Sequence, residues 1–170
     1  MFTSKGSEKQ KKSTTFAVVN EVGAYGRPRV QTKFIFMTDN KMRTEILNID
    51  KGQCLTDVLP AIPANTIFDK TITGCGATHS EIVNAARHSI IIEPNIPVIL
   101  GKKAEHPFLF AVYEGITKED VKAYLAGEHD GYRKIITTPE GFDKKVLPAM
   151  HELEIPVYKD YFLLFDEWEK

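Results

Sequence analysis

The sequence predicts an α/β protein built on a parallel sheet, with a small antiparallel β extension ahead of it. Three observations carry that prediction. From Thr66 onward, short and nearly continuous apolar runs alternate with helix-compatible segments. Strands of that kind are buried on both faces by the helices between them. The first run, residues 66–72, leads through Thr73-Gly74-Cys75-Gly76-Ala77-Thr78 into a helix-like segment. That order of strand, glycine loop and helix lets backbone N–H groups and a helix N-terminus receive a phosphate. The last run, Tyr161–Phe165, ends in Asp166-Glu167, which puts two carboxylates where parallel sheets hold their ligands.

Composition sets the bounds. The chain has 170 residues, 42% of them hydrophobic and 26% charged, which is ordinary globular usage and enough for a real core. A formal net charge of −1 excludes a global basic field for nucleic acid and leaves room for a local basic face. The sequence shows no signal-peptide core and no apolar run of membrane length, so it reads as soluble and cytoplasmic. Cys54 and Cys75 are the only cysteines, too few for a disulfide framework. His79, His88, His106, His129 and His151 have no zinc-like spacing to either of them.

Taken in order, residues 1–13 read as a flexible polar tail bearing Lys5, Lys9, Lys11 and Lys12. A basic arm on a nucleic-acid backbone is the functional alternative. Residues 14–53 read as the β extension. A short strand at 15–20 is broken by Gly23, Gly26 and Pro28. Strands at 30–38 and 42–49 flank an Asp39-Asn40-Lys41 turn. Residues 54–170 read as the main domain. It opens with a short helix at 54–59, ended by Pro60 and Pro63. After the strand at 66–72 the sequence predicts a helix over 78–87 and a strand over 89–93. A helix with Pro97 in its first turn follows, then a strand over 108–113. Thr117-Lys118-Glu119-Asp120 resembles a capping box and opens a helix to about Leu125. Residues 134–137 form the next strand, a helix runs from Pro139 to about Leu153, and Tyr161–Phe165 is the last strand.

Three pieces carry chemistry. Gly74 and Gly76 permit positive φ and close approach of backbone to phosphate oxygens, and Thr78 offers a hydroxyl to magnesium. Glycines between a strand and a helix also arise wherever the chain must turn sharply. On the last strand Asp166 is placed to hold a metal through water and Glu167 to polarise an attacking water. The plain alternative is an acidic, solvated segment. Thr137-Thr138-Pro139 ends a strand just before a helix. It serves equally to contact a nucleic-acid phosphate or to cap that helix.

In sequence order, residues 73–78, then Ile90-Ile91-Ile92-Glu93-Pro94, then 137–142, then 162–169 ending Asp166-Glu167-Trp168-Glu169 resemble the first RecA-like domain of superfamily-two helicases, the DEAD/DEAH-box-like kind. They match, respectively, the phosphate loop of motif I, two intermediate motifs and motif II. The resemblance covers about residues 60–170. It implies a three-layer RecA-like sheet of the P-loop NTPase type and an ATP–magnesium ligand. Single-stranded DNA or RNA is the implied partner, and a second RecA-like domain is expected in a longer chain. By that resemblance Gly74, Cys75, Gly76, Ala77 and Thr78 contact the nucleotide, Thr78 and Asp166 hold magnesium, Glu167 is the catalytic acid/base, and Thr137 and Thr138 face nucleic acid. One position departs from the pattern. The residue before the final Ser/Thr of the loop G-x-x-x-x-G-K-[ST] is Ala77 in place of lysine. Lys70, Lys102 and Lys103 are the candidates to replace its charge. Without that charge the sequence supports a second reading, a non-hydrolysing phosphate- or nucleic-acid-binding module. An unrelated α/β interaction protein is the third.

Overall fold

The computed structural model describes residues 12–13, 19–22, 28–38, 41–50, 53–69 and 74–166. The chain divides into two compact units between Ala77 and Thr78.

In the first unit the strands β1 (Lys12–Ser13), β2 (Val19–Val22), β3 (Pro28–Thr38) and β4 (Lys41–Asp50) precede a short helix, α1 (Leu55–Val58). β4 pairs antiparallel with β3 from Arg29↔Asp50 to Thr38↔Lys41 and occupies one edge of it. A strand offers hydrogen-bonding groups on both edges, and shorter segments share the other one. β1 pairs at Met37 and Thr38, and β2 pairs at residues 28–31. Between them lies β5 (Ile67–Asp69), in register Lys33↔Asp69 and Ile35↔Ile67. This differs from the sequence expectation, in which 66–72 is the first strand of the parallel sheet. Its described residues pair antiparallel with β3, and residues 70–73 lie outside the described residues. A three-residue apolar strand carries no signal naming its partner, because pattern fixes which face is buried and leaves the choice of edge to tertiary contacts.

The second unit alternates helix and strand: α2 (Ala77–Val83, whose first residue belongs to the first unit), β6 (His88–Ile92), α3 (Ile96–Glu105), β7 (Phe110–Val112), α4 (Lys118–Ala126) and β8 (Lys134–Thr137). Residues 139–152 then form one helical run, α5 (Pro139–Gly141), a π segment (Phe142–Val146) and α6 (Leu147–Glu152). A short helix, α7 (Val157–Asp160), leads into β9 (Tyr161–Phe165). Among the described residues four strands form one sheet, ordered β7-β8-β6-β9, and every pairing in it is parallel.

Alternation along these strands separates two cores. Ile90 and Ile92 of β6, Val112 of β7 and Ile135 of β8 pack with Val121 and Leu125 of α4, and with Val146, Ala149 and Met150 of the long helical run. The intervening residues Ile91, Ala111 and Ile136 pack on the other face with Ile82 of α2 and Ile99 of α3. Strands with consecutive apolar residues therefore bury both faces, as a parallel sheet between helices requires. The expected cap is present on α4. The Thr117 hydroxyl accepts from the Asp120 N–H at 3.2 Å, and the Asp120 carboxylate accepts from the Thr117 N–H at 2.8 Å. The Thr117 hydroxyl, donating to the Asp120 carboxylate at 2.7 Å, and then the Thr117 N–H hold that carboxyl below its ordinary range.

Candidate functional site

Parallel register brings the strand ends together. Ile92 pairs with Thr137 on one side and Phe165 on the other. The residues that follow are thereby neighbours. The Glu93 N–H donates to the Thr137 carbonyl at 2.9 Å, and the Asp166 N–H donates to the Ile92 carbonyl at 3.0 Å. Two carboxylates from adjacent strands thus emerge at the carboxyl end of the sheet, and Glu93 is buried there. Thr78, in the first turn of α2, is buried beside them. Its hydroxyl donates to the Asp166 carboxylate and lies 3.5 Å from a Glu93 carboxylate oxygen. The pairing of Thr78 with Asp166 spans 88 positions of sequence.

The neighbouring strand end is closed by threonines. Thr137 is fully buried, and its hydroxyl donates to the Val112 carbonyl of β7 at 3.1 Å. Thr138 is the N-cap of α5. Its hydroxyl accepts from the Gly141 N–H at 3.0 Å, and Pro139 sits in the first turn. Capping, the plainer of the two readings of this stretch, is what Thr138 does here. Gly141 is required by a close approach: a Cβ there would run into the Thr137 hydroxyl oxygen and stand 3.3 Å from the Val112 carbonyl.

In the first unit, Gly74 and Gly76 have φ of 81° and 85°, a conformation glycine adopts without cost. Cys75 between them is half-buried, and its carbonyl accepts from the Leu55 N–H of α1 at 2.9 Å. Ala77, the first residue of α2, is buried. Of the lysines proposed to replace the missing charge, Lys102 pairs with Glu105 at 3.1 Å, and Lys103 donates to the Pro107 carbonyl at 2.6 Å and to that of Leu109. Lys70 and Glu167 lie outside the described residues.

Sequence reasoning missed a second cluster, at the amino end of the same sheet. Glu81 of α2 is fully buried. Its carboxylate accepts from Arg87, whose Nε lies at 3.1 Å, and from the Ser89 hydroxyl. Lys134, at the start of β8, is buried and donates to the Glu81 carbonyl at 2.9 Å and the Ser89 hydroxyl at 2.9 Å. It also lies 3.5 Å from the Glu81 carboxylate. Burial pulls the Lys134 pKa down, and the adjacent Glu81 charge opposes that. The Arg87 guanidinium also stacks over the Phe162 ring of β9, 3.4 Å from its centroid. The cluster fastens α2 to β6, β8 and β9, and so fixes the helix that carries Thr78. Glu93 was also missed as a site residue. Its signal was present in the sequence: an acid directly after three buried isoleucines and before Pro94.

Among the described residues no three His, Cys, Asp or Glu side chains gather as in a dedicated metal cage. No described helix is long and apolar enough to cross a membrane. Compared with protein-family models, curated proteins and solved structures, the chain matches none.

Proposed function

We propose that this chain is a nucleotide-binding domain of the RecA-like kind that opens superfamily-two helicases, with ATP–magnesium as its ligand. One observation carries the reading. Thr78, the first hydroxyl after the glycine loop, bonds to Asp166, the first carboxylate after the last strand. The order of a parallel sheet and the acid at the strand end are compatible with that fold. In this reading Gly74, Cys75, Gly76 and Ala77 offer backbone N–H groups to phosphate, and Thr78 and Asp166 hold magnesium. Glu167 polarises the attacking water, and the half-buried turn at Thr138 meets a single-stranded nucleic acid, with the fully buried Thr137 only supporting that turn from beneath. The donor set fits the metal. Magnesium prefers oxygen, keeps several waters, and takes one or two carboxylates beside substrate phosphates, so it does not need a cage of protein ligands. Glu93, at the end of the neighbouring strand, lies 3.5 Å from the same Thr78 hydroxyl.

A second reading, a module that binds phosphate or nucleic acid without turnover, is favoured by Ala77. Losing a charge-assisted phosphate contact costs about 2–4 kcal/mol, and Lys102 and Lys103 are already engaged. Thermal melting separates the two. At ATP–magnesium a hundred times above its Kd, the first reading expects about 2.7 kcal/mol of added stability. That gain should lose its magnesium dependence in Asp166→Asn. Wild-type protein with no shift at millimolar ATP–magnesium overturns the reading. Salt-dependent binding to single strands with no nucleotide effect establishes the second one instead.

A further inference from the structure

The two cysteines, distant in sequence, share one small region of the first unit. The Cys75 carbonyl accepts from the N–H of Leu55, the residue after Cys54, at 2.9 Å. By ordinary bond lengths that bond holds the two cysteine Cα atoms within about 8 Å. The next residue along is closer still: a Cβ built on Gly76 would lie 3.9 Å from the Cys54 Cβ. Disulfides form over Cα separations of roughly 4.4–6.8 Å. Gly74 and Gly76, both at positive φ, flank Cys75, so neither adjoining residue carries a Cβ to crowd its thiol. Both thiols are free, with Cys54 exposed and Cys75 half-buried.

We propose that Cys54 and Cys75 are an oxidative modification site, forming a reversible intrachain disulfide that ties the glycine loop to α1. The oxidant is a hydroperoxide. The exposed Cys54 thiolate attacks the peroxide, the O–O bond breaks, and sulfenic acid forms while water or an alcohol leaves. The Cys75 thiolate then attacks that sulfur, the S–S bond forms, the S–O bond breaks, and the oxygen leaves as water. Two thiols lose two protons and two electrons, and the peroxide gains them. A dithiol such as dithiothreitol reverses the step by exchange. A consequence for ligand follows if the loop binds phosphate, and that part rests on the function proposed above: the tied loop binds nucleotide at least tenfold more weakly.

The test treats the folded chain with hydrogen peroxide, then counts thiols and measures intact mass. The expected result is loss of both thiols together with a mass fall of two hydrogens, roughly 2 Da, restored by dithiothreitol. The reaction should slow at least tenfold in urea, where only chain diffusion brings the sulfurs together. Cys54→Ser and Cys75→Ser should show no such loss and gain oxygen instead. Persistence of both thiols, separate addition of oxygen to each, chain-to-chain crosslinks, or an equal rate in urea overturns the proposal. Nucleotide affinity is then measured on reduced and oxidised wild type, with Cys54→Ser, which cannot close the disulfide, as the control. A reduced protein that binds no nucleotide overturns the function proposed above and leaves the disulfide to be judged by mass alone. Binding that is equal before and after complete oxidation overturns the loop consequence.

Discussion

The two ends of the parallel sheet surround their buried carboxylates with different side chains. At the amino end, Glu81 is enclosed with two cations and a hydroxyl, Arg87, Lys134 and Ser89. At the carboxyl end, Glu93 and Asp166, like in charge, converge on the Thr78 hydroxyl. The same elements supply both: α2 carries Thr78 and Glu81, and β6 carries Ser89 and leads directly into Glu93. A buried carboxylate beside cations is compensated within the protein and serves the fold. At the carboxyl end two carboxylates meet beside a neutral hydroxyl, at the place proposed above for magnesium. The difference separates an anchor from the place proposed for a ligand, although both are clusters of polar side chains beside buried strands.

Substitutions can break that contrast. The largest effect on folding is expected at the anchor. Glu81→Gln leaves Lys134 buried without its counter-charge, which costs about 3–5 kcal/mol in urea unfolding. Glu81→Gln with Lys134→Met should recover much of it, because the orphaned charge is gone. Asp166→Asn at the other end should change folding by about 1 kcal/mol or less, while removing the magnesium dependence of nucleotide binding. Equal folding costs at the two ends would erase the distinction. Gly141→Ala is intermediate. Its Cβ would meet the Thr137 hydroxyl, and overpacking of that kind costs about 1–3 kcal/mol. Adding Thr137→Ala should relieve part of it, and a variant as stable as wild type would show that the turn yields.

The smallest effect is a pH dependence at the amino end. The His88 Nδ1 accepts from the Arg133 N–H at 2.8 Å, and the ring lies between Tyr132 and Tyr161. Burial lowers the His88 pKa first, and the nearby charges of Arg133 and Lys134 lower it further. Asp160 opposes them, and His129 adds slightly to the lowering. With the folded pKa below the ordinary value of about 6.5, the unfolded chain takes up its proton first as pH falls. The stability from neutral His88 is therefore complete above about pH 6.5 and declines as pH drops toward the folded pKa. Urea unfolding across that window should show the slope in wild type and lose it in His88→Gln. An unchanged slope in the variant would assign it to other groups.

Much of the second unit was legible in the sequence. β8 and β9 fall on residues 134–137 and 161–165 as expected. Thr117 and Asp120 form their capping box, and Pro97 and Pro139 sit in first turns. These features depend on local chemistry: an apolar run bounded by breakers, a hydroxyl before a helix, a ring that fixes φ. A helix from Pro139 was equally legible, but its π segment at Phe142–Val146 was not, because nothing in the local pattern marks a wider turn.

What the sequence determined by itself was the alternation of elements, the glycines that permit positive φ, and the acid at the end of the last strand. Tertiary structure alone decided the partners. β5 pairs with β3 because edge choice is a long-range matter. Glu93 joins Asp166 because parallel register puts Ile92 beside Phe165. Glu81 finds Lys134 across 53 positions, and Cys75 finds Leu55, because hydrogen bonds between distant segments leave no periodic trace along the chain. Residue pattern fixes which faces are buried, and only the packed fold fixes what each buried polar group meets.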